Sequence, residues 1–264
     1  MRLRLIAVCL LPASCLTAQW LKYPTAGVPR TADGKANLAA PASKTADGKP
    51  DFSGIWQAAD PLPCNDVTRI CTDLPITRQF GNLADGLKEG LPYTDWARAA
   101  MRQRQGSDPY THCISPGGPR MHLLPTMKKV VQTPQLMVIL DEYNAGFRQI
   151  FLDGRALAED PQPNWNGYSS GHWDGDRLVV ESNGFRDDQW LDARGNPLTS
   201  AAKVTERFRR PNFGSMEIEI TINDPQAYTR PWTVLVKQTA VPDTDLLDSV
   251  CLENEKDVPH LPSH

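Results

Sequence analysis

The sequence predicts an all-β fold, an antiparallel meander of short strands closed as a β-barrel, with a β-sandwich as the alternative. Three observations predict it. After Arg120, strand-like runs recur as "MKKVVQTP", "QLMVILDEY", "FRQIFLDG", "DRLVVES", "KVTERFRR", "SMEIEITI" and "WTVLVKQTAV". Short turn signals separate them, among them "NAG", two "DG" pairs, "RPNFG" and "NDPQ", as expected of strands joined by tight turns. Two runs alternate cleanly: Met216, Ile218, Ile220 and Ile222 lie opposite Glu217, Glu219 and Thr221, while Val204, Glu206 and Phe208 lie opposite Lys203, Arg207 and Arg209. One face of the sheet is therefore inside and the other wet. An open sheet of this length would leave long unpaired edges, which favours closure.

In chain order, the first element is "MRLRLIAVCLLPASCLTAQW", with Arg2 and Arg4 ahead of an apolar run and then small residues up to Ala18. That is the order of an export signal over 1–18, and it predicts a periplasmic or secreted protein. The alternative is a lipid anchor at Cys15, where Pro12 stands in place of the usual aliphatic residue. The apolar run is shorter than the roughly 20 residues of a spanning helix, so no transmembrane segment is expected. Residues 19–50 read as an extended leader wrapping the surface; they contain "TADGKANL" and "TADGKPDF", too few copies for a solenoid. Residues 51–264 read as a single barrel domain with a loop and helix insertion at about 58–110. Its one short helix is placed in "YTDWARAAMRQRQ", capped by Thr94.

Removal of the signal leaves Cys64, Cys71, Cys113 and Cys251, an even number that reads as disulfides in an oxidising compartment. Four cysteines allow three connectivities. Cys64 and Cys71 share the Pro-rich loop "PLPCNDVTRICTDLP", which favours a local bridge and leaves Cys113 with Cys251. There is no CxxC and the five His are scattered, so neither zinc nor any cofactor is expected. With a net charge of −3 and no basic run, nucleic acid and anionic membrane surfaces are disfavoured as partners.

The stretch "GYSSGHWDGDRLVVES" carries a His, two Asp and a Glu within a short span, and so poses the choice between a site and a hairpin. Asp174-Gly175 between strand-like runs is a hairpin signal, read here with both turn residues at positive φ, and His172 points to the face opposite Trp173, outward. Calcium would need further oxygen ligands. The acidic stretch "FRDDQWLDARGNP" reads as an exposed loop at one barrel end, its carboxylates too irregular for a calcium loop. Ser169 and Ser170 cannot form a triad with His172 from one strand.

Strand parity places three charges inside: Glu142 with Leu136, Val138 and Leu140; Arg148 with Ile150 and Leu152; and Glu206 with Val204 and Phe208. Buried charges must be paired or solvated by a cavity. A Glu-Arg-Glu set could hold a polar ligand group, supply an acid/base carboxylate, or merely close the barrel as a structural ion pair. Trp56, Trp173, Tyr228 and Trp232 could line a pocket for a small apolar, aromatic or sugar-like ligand, or simply be core. The leading expectation is a small-molecule-binding barrel. The alternatives are a hydrolase, lyase or isomerase using Glu142 or Glu206 with Arg148, and a structural envelope protein with a filled barrel. A cavity of roughly 300 Å³ or more would separate the first two from the last.

Gly54-x-Trp56 in "DFSGIW" resembles the first-strand signature of lipocalins and related calycin barrels, which implies a calycin-like barrel. Through "DGKPDFSGIW", "HCISPGGPR", "FRQIFLDGR", "GYSSGHWDGDRLVV", "ERF", "INDPQAYTRPW" and "CLENEKD" the chain also resembles a family of exported bacterial β-rich proteins. That resemblance implies export and a β-rich fold, and brings no catalytic residues with it.

Overall fold

A computed structural model describes residues 23–62, 76–104, 108–114 and 116–251. The signal segment, Cys15 and the Cys64–Cys71 pair lie outside the described residues. The body is a closed barrel of nine strands, so the sandwich alternative falls away. These are β1 (Gly54–Ala58), β2 (Lys128–Gln132), β3 (Leu136–Asp141), β4 (Gly146–Phe151), β5 (Tyr168–Asp174), β6 (Arg177–Asn183), β9 (Lys203–Asn212), β10 (Ser215–Asn223) and β11 (Trp232–Ala240). Between β6 and β9 the two short strands β7 (Gln189–Trp190) and β8 (Pro197–Leu198) form a separate hairpin. The ring runs β1-β11-β10-β9-β6-β5-β4-β3-β2 and closes between β1 and β2. A ring whose neighbours all run antiparallel must have an even number of strands. With nine, one seam has to be parallel, and it is β4–β5, registered through Phe151 and Ser170. The meander is thus broken where the long connection 152–167 returns the chain.

In β9 and β10 the buried and part-exposed residues alternate as the sequence predicts, with Met216, Ile218, Ile220 and Ile222 buried inside. The Asp-Gly hairpin also forms, but one step along from the sequence reading. Asp174 pairs with Arg177 as the last strand pair, and the two-residue loop is Gly175-Asp176. Of these two only Gly175 has positive φ, at 58°. Gly at the first loop position is the arrangement of a II′ hairpin, so one positive φ suffices where the sequence reading asked for two.

The insertion holds α1 (Arg78–Gly81) and α2 (Asp95–Gln103). Thr94 caps α2 as predicted, its side chain accepting from Ala97 N at 3.2 Å. Two 3-10 helices follow, Pro109–His112 and Gly118–Leu123. Residues 116–126 are buried throughout and run into the barrel as an internal plug. A barrel of this strand number encloses more space than its own side chains fill, and the plug takes it up.

The leader wraps the barrel. Each TADGK copy makes the same turn: Thr31 N donates to Lys35 O at 2.9 Å and Thr45 N to Lys49 O at 2.8 Å, with Gly34 and Gly48 both at φ 81°. Backbone bonds from Phe213 N to Ala40 O and from Gly214 N to Leu38 O, each 2.8 Å, dock the leader on the barrel. Arg30 and Thr25 tie it to Asp243 in the C-terminal tail, the chain after β11.

Cys113 and Cys251 are bridged. Cys113 lies in the turn after the Pro109–His112 helix rather than in a strand, and Cys251 lies beyond the last strand, so the bond ties insertion to tail. The β3–β4 turn grips the bond from both sides: Asn144 Nδ2 donates to Cys113 O at 2.6 Å and Asn144 Oδ1 accepts from Cys251 N at 2.8 Å. No described helix is long and apolar enough to cross a membrane.

Two outcomes follow from the plug and the tail. Gly117 lies against Trp165 so closely that a Cβ there would run into the Trp165 carbonyl oxygen, so Gly117→Ala should destabilise by about 1–3 kcal/mol in urea unfolding. Non-reducing peptide mapping should recover Cys113 linked to Cys251, and Cys251→Ser should cost about 2–5 kcal/mol, because the bond closes a loop with a sequence separation of 138.

Candidate functional site

Two of the three interior charges meet. Arg148 on β4 and Glu206 on β9 are 1% and 0% exposed. Arg148 Nη1 donates to Glu206 Oε1 at 3.0 Å, and Nη2 closes a second, short bond to Oε2. The rest of the guanidinium is saturated by two serines: Nε donates to Ser169 Oγ at 3.3 Å, and Nη2 to Ser169 Oγ at 3.1 Å and Ser182 Oγ at 3.0 Å. The plug supplies the remaining partner, His122, whose Nε2 lies 2.8 Å from Glu206 Oε1. Beside an ionised carboxylate, which only accepts, Nε2 carries the proton.

Burial is the largest influence on Glu206 and acts to raise its pKa. Arg148 and His122 together overcome it and hold the carboxyl at about 2. Burial likewise dominates at His122, pushing its pKa below the ordinary value despite Glu206, so the imidazole is neutral. The cluster is therefore one compensated ion pair with a neutral His, enclosed and mutually satisfied.

Glu142 does not join it. On β3 the buried residues are Met137, Ile139 and Asp141, the opposite parity to that expected. Leu136, Val138 and Leu140 are apolar as well, so alternation in "LMVILDE" does not distinguish the faces. Glu142 lies just past the strand on the outer side, where its carboxylate accepts from Met127 N at 3.0 Å and Leu247 N at 3.1 Å. The inward carboxylate is Asp141, which accepts from Thr126 Oγ1 at 2.9 Å. Near it, buried Lys128 has its pKa lowered to about 8 by burial and donates to Leu124 O and Thr126 O, both at 2.9 Å.

Nor do the four aromatics share one pocket. Trp56 and Trp173 lie towards one end around Phe52, which stacks on Trp173 at 6.2 Å and accepts from Trp56 Nε1 at 2.8 Å through its carbonyl. Tyr228 and Trp232 pack edge to face at 5.3 Å beyond the other end of β10 and β11. His172, Asp174 and Asp176 are exposed, as the hairpin reading expects. The stretch Phe185–Pro197 is not the exposed loop predicted. Asp192 at its centre is fully buried and accepts from Leu83 N at 2.8 Å, Arg194 N at 3.0 Å and Asn196 Nδ2 at 2.5 Å.

A cavity does exist, but at the barrel rim. A cleft of about 500 Å³ opens between the leader, β1, and the end of β11 with the start of the tail. Trp56, Ile55, Phe213 and Val241 give it apolar walls, and Arg210 and Lys129 line it too. Arg210, on β9, is 6% exposed. Its guanidinium lies 4.9 Å from the Trp56 ring centre and 5.0 Å from that of Phe213. It donates only to backbone carbonyls, those of Asp51 and Phe213. Its Nε has no partner, and it makes no ion pair among the described residues. Burial lowers the pKa of this guanidinium below its ordinary value, against the opposing charge of Asp51, which lines the same cleft. A buried cation that is hydrogen-bonded only to carbonyls among the described residues, with a ring on either side at the wall of a cleft, has donor capacity left for a ligand carboxylate or carbonyl. Sequence parity does place Arg210 on the inward face with Glu206 and Phe208, which was the available signal for it. No family model, curated protein or solved structure matches this chain.

The interior cluster predicts an acid-labile fold. Glu206 titrates at about 2 in the fold against an ordinary 4.5, so its contribution is complete above pH 4.5 and is lost as the pH falls toward 2. His122 is held below its ordinary 6.5, so the unfolded chain takes up that proton first and stability also falls as the pH drops through 6.5. Arg148→Met should cost about 3–5 kcal/mol at neutral pH and less in acid, because it leaves Glu206 buried without its cation. Urea unfolding across pH, with the Arg148→Met/Glu206→Gln double variant recovering part of the loss, checks both statements.

Proposed function

We propose that this is an exported binding protein whose ligand sits in the rim cleft rather than inside the barrel. The ligand is a small amphipathic molecule, with a flat apolar part against Trp56 and Phe213 and a carboxylate or carbonyl directed at Arg210. The single observation carrying this reading is Arg210, a buried guanidinium in the wall of a cleft of about 500 Å³ that forms no ion pair among the described residues and is hydrogen-bonded to carbonyls alone, with the Asp51 carboxylate acting on it only through its charge. That volume is within the range of small-molecule sites, whereas the barrel interior is occupied by the plug and the Arg148–Glu206–His122 cluster. Acid-base catalysis at Glu206 would require a substrate to reach a carboxylate with no exposed surface whose two oxygens are already bonded. Export is supported by the order of charge, apolar run and small residues in 1–18 and agrees with the Cys113–Cys251 bond. The Gly54-x-Trp56 signature fits the same reading, since Gly54 and Trp56 both line the cleft.

Mass spectrometry of small molecules released from protein purified out of its native compartment tests this directly. The parent should carry a ligand that Ala26→Trp lacks, because Ala26 is an exposed lining position where the new ring fills the cleft without entering the core. With an aromatic carboxylate such as benzoate as probe, Arg210→Gln should weaken binding by about ten-fold, roughly 1.4 kcal/mol. Equal ligand content in the parent and Ala26→Trp would remove the cleft from consideration.

A further inference from the structure

At the end of the barrel opposite the rim cleft, a second and more open cleft of about 600 Å³ is walled by arginines. On α2, Arg98, Met101 and Arg102 are spaced three and four residues apart and so share one face. Arg104 follows at the end of that helix, and Arg194 faces it from the loop after β7. Tyr93 completes the wall, with the Arg98 guanidinium 5.6 Å from its ring centre. Arg104 is fixed in place: Nη1 donates to Gln189 O at 3.0 Å, and the guanidinium lies 5.6 Å from the Trp190 ring centre.

None of these four arginines is in an ion pair among the described residues. Two of the nearby carboxylates are bonded to other groups. Asp188 holds Arg186 at 2.9 Å, and Asp192 is buried, accepting from backbone amides and Asn196. In a chain with 28 basic and 31 acidic side chains, four guanidiniums around one cleft with no ion pair among the described residues depart from the general mixing of charge, although Asp188 lies near enough to Arg104 to act on it through its charge. Like charges at i and i+4 also repel, so the helix gains nothing from Arg98 and Arg102 lying together. Guanidinium forks pair with phosphate and carboxylate oxygens two bonds at a time, and several converging on one space match a ligand with several anionic groups close together.

We propose that this cleft binds a compact polyanion, a small molecule or polymer end carrying at least two adjacent phosphate or carboxylate groups. It is a site separate from the rim cleft and independent of what binds there.

Calorimetric titration of the full chain at low ionic strength, with inorganic triphosphate and with citrate as probes and orthophosphate as the single-anion comparison, tests it. Saturable binding of triphosphate or citrate is expected, tighter than orthophosphate and weakening steeply as salt is added. Which of the two probes binds tells phosphate from carboxylate. Arg98→Gln/Arg102→Gln, and separately Arg194→Gln, should each weaken that binding by about ten-fold or more. These positions are exposed, so the variants should keep the parent's circular dichroism. Arg177→Gln, at the exposed β5–β6 hairpin, should leave binding unchanged. Absence of saturable binding to both probes overturns the proposal. So does binding that persists in Arg98→Gln/Arg102→Gln, or that falls equally in Arg177→Gln, which would mark a diffuse charge effect. The Ala26→Trp variant should bind these probes like the parent, which keeps this result distinct from the fate of the rim cleft.

Discussion

A single negative charge in the middle of the barrel constrains the rest of the fold. Glu206 is fully buried, and leaving it unpaired would cost several kcal/mol. Its partners come from distant parts of the chain: Arg148 from β4 and His122 from the plug. Arg148 in turn requires Ser169 on β5 and Ser182 on β6. One side-chain network therefore links β4, β5, β6, β9 and the plug. It crosses the parallel β4–β5 seam, which backbone pairing holds through a single registered pair. Where the odd strand number weakens the ladder, side-chain bonds within the barrel span the gap. A buried ion pair adds little net stability over an apolar filling, so its main effect here is to fix register and the position of the plug.

The other interior charges answer a related problem. An irregular segment inside a barrel has carbonyls that no ladder satisfies and no water reaches. Lys128 takes two of them, Leu124 O and Thr126 O, and Gln238 Nε2 takes His122 O at 2.8 Å. Burial holds the Lys128 ammonium down to about 8, so it remains mostly protonated at neutral pH, with Asp141 close enough to favour the charge. The polar residues of the inner face are thus placed to receive the plug, and a barrel without it would contain unpaired donors and charges.

The legibility of all this in the sequence depended on whether a strand has one apolar face or two. In β9 and β10 charged residues fill the outer face, so parity alone puts Glu206 inside. In β4 the outer frame is Phe147, Gln149 and Phe151, so Arg148 could be read as inside only because it shares its frame with Ile150 and Leu152. In β3 both frames are apolar, because the tail lies along the outer side: Leu247 N reaches Glu142, and Lys129 on neighbouring β2 pairs with Asp245 at 2.8 Å. The choice of face was thus set by a tertiary contact, and the frame with Glu142 was the wrong one. The plug was not legible at all, since "PGGPRMHLLPT" has neither strand nor helix period and becomes buried only because a barrel closes around it. Asp192 was read as solvated for the same reason: its local sequence is that of a polar loop, and its partner Leu83 lies 109 residues away.

A barrel closed by its own chain has its inner volume and inner charges committed, so any ligand must be met at the ends. At the two ends the unspent polar groups differ in kind. At the leader end a single cation, Arg210, is buried between aromatic rings and hydrogen-bonded to carbonyls, with the Asp51 carboxylate acting on it through its charge, and neighbouring Lys129 is already paired with Asp245. At the α2 end the cations are several and mostly exposed, with Arg104 alone held in place by carbonyls and a ring. Desolvation strengthens a charge-assisted bond, so the buried site favours selection by shape around one polar group, whereas the exposed site depends on the number of charges and is screened by salt. Each cleft is completed by a segment outside the barrel ring, the leader at one end and the α2 insertion at the other, and each segment is held to the barrel by its own backbone bonds, from Phe213 N to Ala40 O at 2.8 Å and from Thr94 N to Ala227 O at 3.0 Å. The interior network, which joins β4, β5, β6, β9 and the plug, holds the two ends in fixed relation to each other.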